Sequence, residues 1–211
     1  MVSDERIKTG TTTLGMLFKG GVLLAADRRV TSYKIVSDKF TKIFDLSPNA
    51  VATVSGGAAD AQLFMRIIQG ELKLISLKNE REAKVKEAAM ILNSMQYRGI
   101  RSMGSIVGLI IGGYDKGEGA SLYDLSPDGT ISLSDGFLTT GSGSIYVQGL
   151  LDDCYKPDLS EKEALDLAER AFKVAFKNDN ASGGGFIAKV VTKDGIKEAE
   201  RKIIKADLVK E

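Results

Sequence analysis

The 211-residue sequence contains no histidine, and this absence excludes more chemistry than any other feature. A Ser-His-Asp triad, a Cys-His pair and a histidine-ligated zinc site are all impossible without it. If the protein is an enzyme, its general base must be a lysine, a carboxylate, a tyrosine or an α-amine. The single cysteine, Cys154, excludes a disulfide framework and is typical of an intracellular protein.

Long hydrophobic runs and an excess of one charge are also missing. The longest apolar run, 106–111, is interrupted by Gly108 and is far shorter than the roughly 20 residues that span a bilayer. The first ten residues are polar and charged and lack the apolar region of a targeting signal. The net charge of +1 argues against a surface dedicated to nucleic acid. We therefore expect a soluble, cytoplasmic protein that binds neither nucleic acid nor membrane.

Hydrophobic periodicity divides the chain into strands and helices. Alternation and β-branched residues predict strands at 11–18, 22–27, 35–36, 41–45, 50–55, 105–111, 120–125, 130–133, 186–191 and 196–199. Apolar residues at steps of three and four predict a helix from residue 58 and a second helix between Asn79, as its N-cap, and Gly99, as its end. A short helix is expected over 145–155. A capping box formed by Ser160 and Glu163 opens the last helix.

The order of these elements predicts the fold class. Helices come in adjacent pairs between groups of strands, which is not the alternation of a doubly wound parallel sheet. The simplest packing is an α+β fold in which two helical layers cover two antiparallel sheets, in the order α-β-β-α. A composition of 43% hydrophobic and 27% charged residues, without linkers or repeats, indicates a single globular domain.

Three threonines in a row follow Gly10, and they support two interpretations. The structural one is the start of a strand, since threonine has a high β-propensity. The functional one is a hidden N-terminus, because cleavage after Gly10 would expose an α-amine on Thr11, the residue that carries the hydroxyl. An α-amine has a pKa of about 7.7–8.0, so it can act as general base toward that hydroxyl. A glycine at position 10 permits close approach to the bond that is cut.

Asp27 and Lys42 form a second group of candidates. Asp27 ends the second predicted strand and could be a solvated strand end. Alternation places Lys42 on the same face as Phe44, opposite to Ile43. A buried lysine needs a carboxylate partner, for which Asp27 is the natural choice. Such a cation would lower the pKa of a nearby threonine hydroxyl or α-amine.

Glycine-rich segments supply the remaining candidates. Gly56 and Gly57 precede the first helix and form either a sharp turn or an oxyanion hole of backbone amides. Segments 140–144 and 179–185 could be plain turns or phosphate loops, but neither has the spacing of a P-loop or a dinucleotide fingerprint. We interpret Cys154 as a small core residue at a helix end, with only distant lysines to activate it.

As a set, these motifs resemble those of proteasome β subunits of the archaeal kind with a short propeptide. The resemblance runs from residue 10 to about residue 203. The matching runs are G-T-T-T-x-G at 10–15, A-x-D-R-R-V-T at 25–31, K-I-F at 42–44, S-G-G-x-x-D-A-Q at 55–62, T-G-S-G-S at 140–144 and D-N-A-S-G-G at 179–184. The resemblance implies the four-layer fold of the N-terminal nucleophile hydrolases.

The resemblance also implies roles for individual residues. The nucleophile is Thr11, which autocatalytic cleavage frees by removing residues 1–10 as a propeptide, leaving 11–211 as one β-type domain. Asp27 and Lys42 are its charged partners, and the Gly56 amide supplies the oxyanion hole. The supporting residues are Ser142, Asp179 and Ser182. The pocket for the residue before the cut is lined by Val30, Phe40, Val54 and Ala58.

The apolar lining of that pocket predicts cleavage after hydrophobic residues. The resemblance further implies a seven-membered ring of β subunits, flanked by α-subunit rings. Its substrates are unfolded polypeptides delivered by an AAA ATPase, and no cofactor or metal takes part.

Two other functions stay open. The first is a non-catalytic or conditionally processed β subunit that is kept for assembly, although intact Thr11, Asp27 and Lys42 argue against it. The second is another N-terminal nucleophile hydrolase acting on a small amide, which usually carries a cysteine or serine nucleophile and substrate-binding arginines. The mass of the purified protein distinguishes these functions, because loss of residues 1–10 means that the nucleophile was released.

Overall fold

The computed structural model describes residues 10–31, 34–103 and 106–202. Most of the predicted propeptide, the predicted strand start at Ser105 and residues 203–211 lie outside the described residues. In chain order the elements are β1 (Thr13–Phe18), β2 (Gly21–Asp27), β3 (Val30–Thr31), β4 (Ile35–Ser37), β5 (Ile43–Ser47), β6 (Ala50–Gly56), α1 (Ala58–Asn79), α2 (Val85–Met103), β7 (Val107–Asp115), β8 (Gly119–Leu125), β9 (Ile131–Ser134), β10 (Phe137–Thr140), α3 (Ser144–Cys154), α4 (Glu161–Asn178), β11 (Phe186–Thr192) and β12 (Gly195–Lys202).

Two antiparallel five-stranded sheets form the centre of the molecule. The first has the order β10-β1-β2-β11-β12, and the second has the order β5-β6-β7-β8-β9. In the first sheet, Thr13 pairs with Thr140 on one side and with Ala26 on the other. Asp27, at the end of β2, pairs with Phe186 at the start of β11. The first residues of β1 and β11 and the last residues of β2 and β10 therefore lie at one end of this sheet.

Strand β2 shows why the sheets are covered on both faces. Leu23 and Ala25 pack against α3 and α4, whereas Val22 and Leu24 face the second sheet. All four are fully buried, so both faces of the strand must be apolar. Helices α1 and α2 cover the outer face of the second sheet. The predicted α-β-β-α sandwich is confirmed, and none of the described helices is both long and apolar enough to cross a bilayer.

At one place the sheets approach so closely that only glycine fits. A Cβ atom on Gly112 of β7 would lie 2.5 Å from Leu24 Cδ1 and 2.9 Å from Val22 Cγ2. Gly112→Ala should therefore lower the free energy of unfolding by about 1–3 kcal/mol, the usual cost of overpacking a core. Gly70→Ala in α1 is the matched control, since its Cβ would meet nothing within 4 Å, and it should stabilise the protein by up to about 1 kcal/mol. Chemical denaturation measures both changes, and equal stabilities would contradict this packing.

The helix ends show where local sequence does and does not decide the structure. The capping box at α4 is confirmed, with Ser160 and Glu163 each accepting from the other's backbone amide. The prediction that Asn79 caps α2 is wrong, because Asn79 is the last residue of α1. The Val85 amide at the start of α2 donates instead to the carboxylate of Asp115, which belongs to β7. Gly99 does not end α2 either, because the helix continues to Met103.

Strand boundaries differ from the predicted ones mainly by one or two residues. Strand β1 begins at Thr13, so Thr11 and Thr12 precede the sheet. Strands β3 and β10 are absent from the sequence-based prediction, because both are short and form only by pairing with other strands.

Candidate active site

Thr11 lies where β1 enters the first sheet, and its side chain is almost completely buried. It is 2% exposed. Its Oγ1 donates a hydrogen bond to the carbonyl oxygen of Gly10 at 2.7 Å. A Cβ atom on Gly10 would lie 1.9 Å from the Cβ of Ala181, so no larger residue fits at this junction. The bond between Gly10 and Thr11 is thus held in a closely packed corner of the fold.

Lys42 brings a cation to this corner from the second sheet. Lys42 directly precedes β5, and its carbonyl oxygen accepts a hydrogen bond from the Val54 amide at 2.9 Å. The ammonium is within hydrogen-bonding distance of three oxygens: Asp27 Oδ1 at 2.7 Å, Gly10 O at 2.9 Å and Thr11 Oγ1 at 3.0 Å. These bonds use all three N–H groups of a lysine that is only 4% exposed. The partnership expected for Lys42 and Asp27 is present.

The Asp27 carboxylate is buried, and each of its two oxygens accepts hydrogen bonds. Its Oδ1 accepts from Lys42 and from the Thr12 amide at 3.0 Å. Its Oδ2 accepts from the amides of Arg29 and Gly183, each at 3.1 Å. A carboxylate with such donors is held in a fixed orientation, and it fixes the lysine in turn.

Burial perturbs both charged groups of this pair. It lowers the pKa of the Lys42 ammonium, because the cation loses its hydration, and the attraction of Asp27 opposes that shift. It also raises the pKa of the Asp27 carboxyl, against the opposing effect of Lys42 and the neighbouring amides. An ammonium whose pKa is lowered exchanges a proton more readily with a hydroxyl beside it.

A second group of polar residues contacts the backbone nitrogen of Thr11. That nitrogen donates to Ser142 Oγ at 3.2 Å, and the Ser142 hydroxyl donates to Asp179 Oδ2 at 2.7 Å. Ser182 donates to the same oxygen of Asp179, also at 2.7 Å. Ser142 comes from the turn after β10, whereas Asp179 and Ser182 lie between α4 and β11. The two Gly/Ser segments of the sequence therefore hold this group together.

A small pocket opens beside Thr11 and Lys42. Val30, Phe40, Val54 and Gly56 contribute to its wall. Ala58 begins α1, but its side chain lies outside the described residues. Gly56 has a φ of +100°, and a Cβ there would lie 2.3 Å from the carbonyl oxygen of Ile106, so glycine is required on both grounds. The side chains of the pocket wall are apolar apart from those of Thr11 and Lys42, and the Lys42 ammonium already bonds Asp27.

Two further residues belong to the site although their roles were not predicted. Arg29, in the D-R-R run, donates from Nε to Asp38 at 2.8 Å and from Nη1 to the carbonyl oxygen of Asn180 at 3.4 Å. Thr12 is fully buried and bonds to both Asp27 and Ser182. Threonines are common in strands, so the sequence alone does not distinguish a threonine that supports an active site from one that only forms part of a strand.

Cys154 lies outside this site, at the end of α3. It is half-buried against the core of the first sheet, in keeping with its predicted place at a helix end. The prediction that only distant lysines could approach it is wrong, because Arg170 Nη2 lies 3.3 Å from its sulfur. Within the described ranges, no group of three or more His, Cys, Asp and Glu side chains could hold a metal ion.

Comparison with known proteins identifies relatives along almost the whole chain. The profile of the family described as Proteasome subunit matches residues 7–191. The proteasome subunit beta of Methanobrevibacter ruminantium is 36% identical over 210 residues, covering 99% of each chain. That of Methanobrevibacter smithii is 37% identical over 199 residues, covering 94% of this chain and 95% of the relative. That of Methanocorpusculum labreanum is 38% identical over 191 residues, covering 90% and 89%. The family match includes all the site residues described above.

Proposed function

The chain belongs to the proteasome subunit family, as a β subunit of the core particle, and on that premise we propose that it is a threonine endopeptidase. The observation that supports this best is the 3.0 Å contact between Lys42 Nζ and Thr11 Oγ1. Both side chains are at most 4% exposed, so the hydroxyl and the cation interact in a site that largely excludes water. Thr11 is the nucleophile in this proposal, and Lys42, held by Asp27, is its cationic partner.

Activation is the cleavage of the Gly10–Thr11 peptide bond by Thr11 itself. Oγ1 attacks the Gly10 carbonyl carbon, and the hydroxyl proton passes to the Thr11 nitrogen as the C–N bond breaks, which leaves an ester and a free amine. Water then hydrolyses the ester, residues 1–10 leave with a new carboxylate, and Thr11 regains its hydroxyl. Lys42 assists because it bonds both the attacking oxygen and the carbonyl oxygen that becomes negative.

Substrate cleavage uses the amine that activation has released. The amine accepts the Thr11 hydroxyl proton, Oγ1 attacks the substrate carbonyl, and the proton passes to the leaving nitrogen. Water activated by the same amine hydrolyses the acyl ester. The Gly56 amide donates to the oxyanion, a contribution of typically about 3–4 kcal/mol. Ser142, Asp179 and Ser182 orient the amine and this water.

We further propose the assembly and location that the relatives' name and the motifs support. The β subunits form a seven-membered ring flanked by α-subunit rings in the cytoplasm. Unfolded polypeptides, delivered by an AAA ATPase, reach Thr11 inside that particle.

The pocket beside Thr11 should select hydrophobic residues before the cut. The walls formed by Val30, Phe40 and Val54 offer no partner for a charged side chain, and an unpaired charge in an apolar pocket is costly. For the processed particle, kcat/KM on a fluorogenic peptide ending in Leu should exceed that for Arg or Glu by about tenfold or more. Faster cleavage after Arg than after Leu would contradict this assignment.

An introduced cation should reverse part of this preference. Val54→Arg places a guanidinium in the pocket wall, so cleavage after Glu should gain relative to cleavage after Leu. Val36→Arg is the matched control, because Val36 is 62% exposed on β4 and is absent from the pocket wall. Thermal unfolding of both variants shows whether they fold. An unchanged Glu-to-Leu ratio in folded Val54→Arg would mean that residue 54 does not contact the substrate.

A further inference from the structure

Thr12 connects the two halves of the site, and we propose that its hydroxyl is a positioning group that holds the Asp179–Ser142 pair on the Thr11 nitrogen. The inference rests on the proposed function, because it assigns Thr12 a part in the same reaction. Thr12 touches neither the reacting oxygen nor the pocket, so it acts through its neighbours.

The backbone of Thr12 is fixed by Asp27. The Thr12 amide donates to Asp27 Oδ1 at 3.0 Å, and the Asp27 amide donates to the Thr12 carbonyl oxygen, also at 3.0 Å. Asp27 is the carboxylate that holds Lys42. The backbone of Thr12 therefore belongs to the half of the site that contains the cation.

The side chain of Thr12 belongs to the other half. Its Oγ1 lies 2.8 Å from Ser182 Oγ, and either atom could donate. Ser182 has only one hydroxyl proton, which it gives to Asp179 Oδ2 at 2.7 Å. Thr12 must then be the donor to Ser182.

The hydrogen bonds consequently run toward Asp179 from two sides. One chain passes from Thr12 through Ser182 to the carboxylate. The other passes from the Thr11 nitrogen through Ser142 to the same oxygen, over distances of 3.2 and 2.7 Å. Hydrogen bonds that follow one another in a chain strengthen one another, so the bond from Thr12 strengthens the bond by which Ser182 holds Asp179. Asp179 in turn accepts from Ser142 and so positions it on the Thr11 nitrogen.

No solvent can replace the Thr12 hydroxyl. Thr12 is fully buried and Ser182 is 1% exposed. A Cβ atom on Gly143 would lie 1.9 Å from Thr12 Oγ1, so the turn after β10 closes directly over the hydroxyl. Removal of this hydroxyl leaves the Ser182 oxygen without its donor in a dry site, where such a loss is not compensated.

Thr13 provides a matched control on the same segment. It is also a fully buried threonine. Its Oγ1 bonds to Thr140 Oγ1 at 2.6 Å, between β1 and β10, and not to the Asp179 group. Thr13→Val therefore removes the hydroxyl of an equally buried threonine on the same segment without disturbing the proposed chain.

The test compares Thr12→Val, Thr12→Ser and Thr13→Val in the full chain, with the unmodified chain and Thr11→Ala as references. Intact mass gives the rate at which residues 1–10 are lost, and peptide hydrolysis gives kcat and KM per processed subunit. Thr12→Val should lower kcat about 3- to 10-fold with KM unchanged, as expected for one lost hydrogen bond. Thr12→Ser should restore kcat to within about twofold, because it keeps the donor, and Thr13→Val should change kcat by less than twofold.

The proposal about Thr12 and the proposed function fail in different ways. If the unmodified chain is active and Thr12→Val has normal kcat, only the role of Thr12 is rejected. The role of Thr12 is also rejected if Thr13→Val has as low a kcat as Thr12→Val, or if Thr12→Ser does not restore kcat. In either case the loss of activity comes from disturbed packing and not from the lost hydrogen bond. If the unmodified chain neither loses residues 1–10 nor cleaves peptides more than Thr11→Ala does, both proposals are rejected.

Discussion

Thr11→Ala is expected to keep all 211 residues and to lose peptide hydrolysis by a factor on the order of 10⁴ or more. The reason is that one hydroxyl serves both reactions in the proposed mechanism. Without Oγ1, nothing can attack the Gly10 carbonyl, and no acyl ester can form with a substrate. The intact mass after expression without other active subunits measures the first effect, and fluorogenic peptides measure the second.

Thr11→Ser is the control for this substitution. It keeps a hydroxyl 3.0 Å from the Lys42 ammonium and an α-amine after cleavage, so both processing and turnover should remain measurable. Loss of the first ten residues by Thr11→Ala would disprove self-cleavage. A chain that keeps those residues unless another β subunit is present would instead be a conditionally processed subunit.

Lys42→Arg is expected to lower both self-cleavage and turnover by about 10²–10³-fold, the range typical of a lost group that stabilises charge in the transition state. The ammonium of Lys42 reaches three oxygens within 3.0 Å, and a planar guanidinium cannot reproduce that geometry. Expression with Thr11 as the first residue separates turnover from self-cleavage. Lys42→Met should be equally inactive, because it removes the cation.

Lys189→Arg is a suitable control for Lys42→Arg. Lys189 also pairs with an aspartate at 2.7 Å, but its partner is Asp45 and the pair lies away from Thr11. This variant should have normal activity. Thermal unfolding of the Lys42 variants is needed as well, since breaking a buried ion pair typically costs about 3–5 kcal/mol of stability. Near-normal turnover by folded Lys42→Arg would remove Lys42 from the mechanism.

The sequence predicts those parts of the fold that short-range physics decides. The capping box at α4 needs only Ser160 and Glu163, three residues apart, and it is predicted correctly. The cap of α2 comes from Asp115, thirty positions after Val85, so the local sequence points wrongly to Asn79. The local sequence does not indicate strand β10, because its four residues become a strand only by pairing with β1.

In the candidate site, too, some residues can be predicted from the local sequence and others cannot. Alternation places Lys42 on the same face as Phe44, and a lysine buried there would need a countercharge, for which Asp27 is the natural choice. In the structure Lys42 is buried and Asp27 lies 2.7 Å away. Arg29 and Thr12 could not be assigned in this way. An arginine at a strand end and a threonine in a strand-like run are ordinary features, and their contacts depend on segments about 150 to 170 residues away.

The distance along the chain between Thr11 and its partners would make the proposed self-cleavage a checkpoint on folding. Lys42 is 31 residues from Thr11, Ser142 is 131 residues from it, and Ser182 is 170 residues from Thr12. Contacts of such long range form late, because long loops must close before distant strands can pair. Until both sheets have docked, the hydroxyl lacks its cation and the nitrogen lacks its hydrogen-bond acceptor. Under the proposed mechanism, a chain that has not finished folding is therefore not yet a protease, and the release of its first ten residues would mark the moment at which it becomes one.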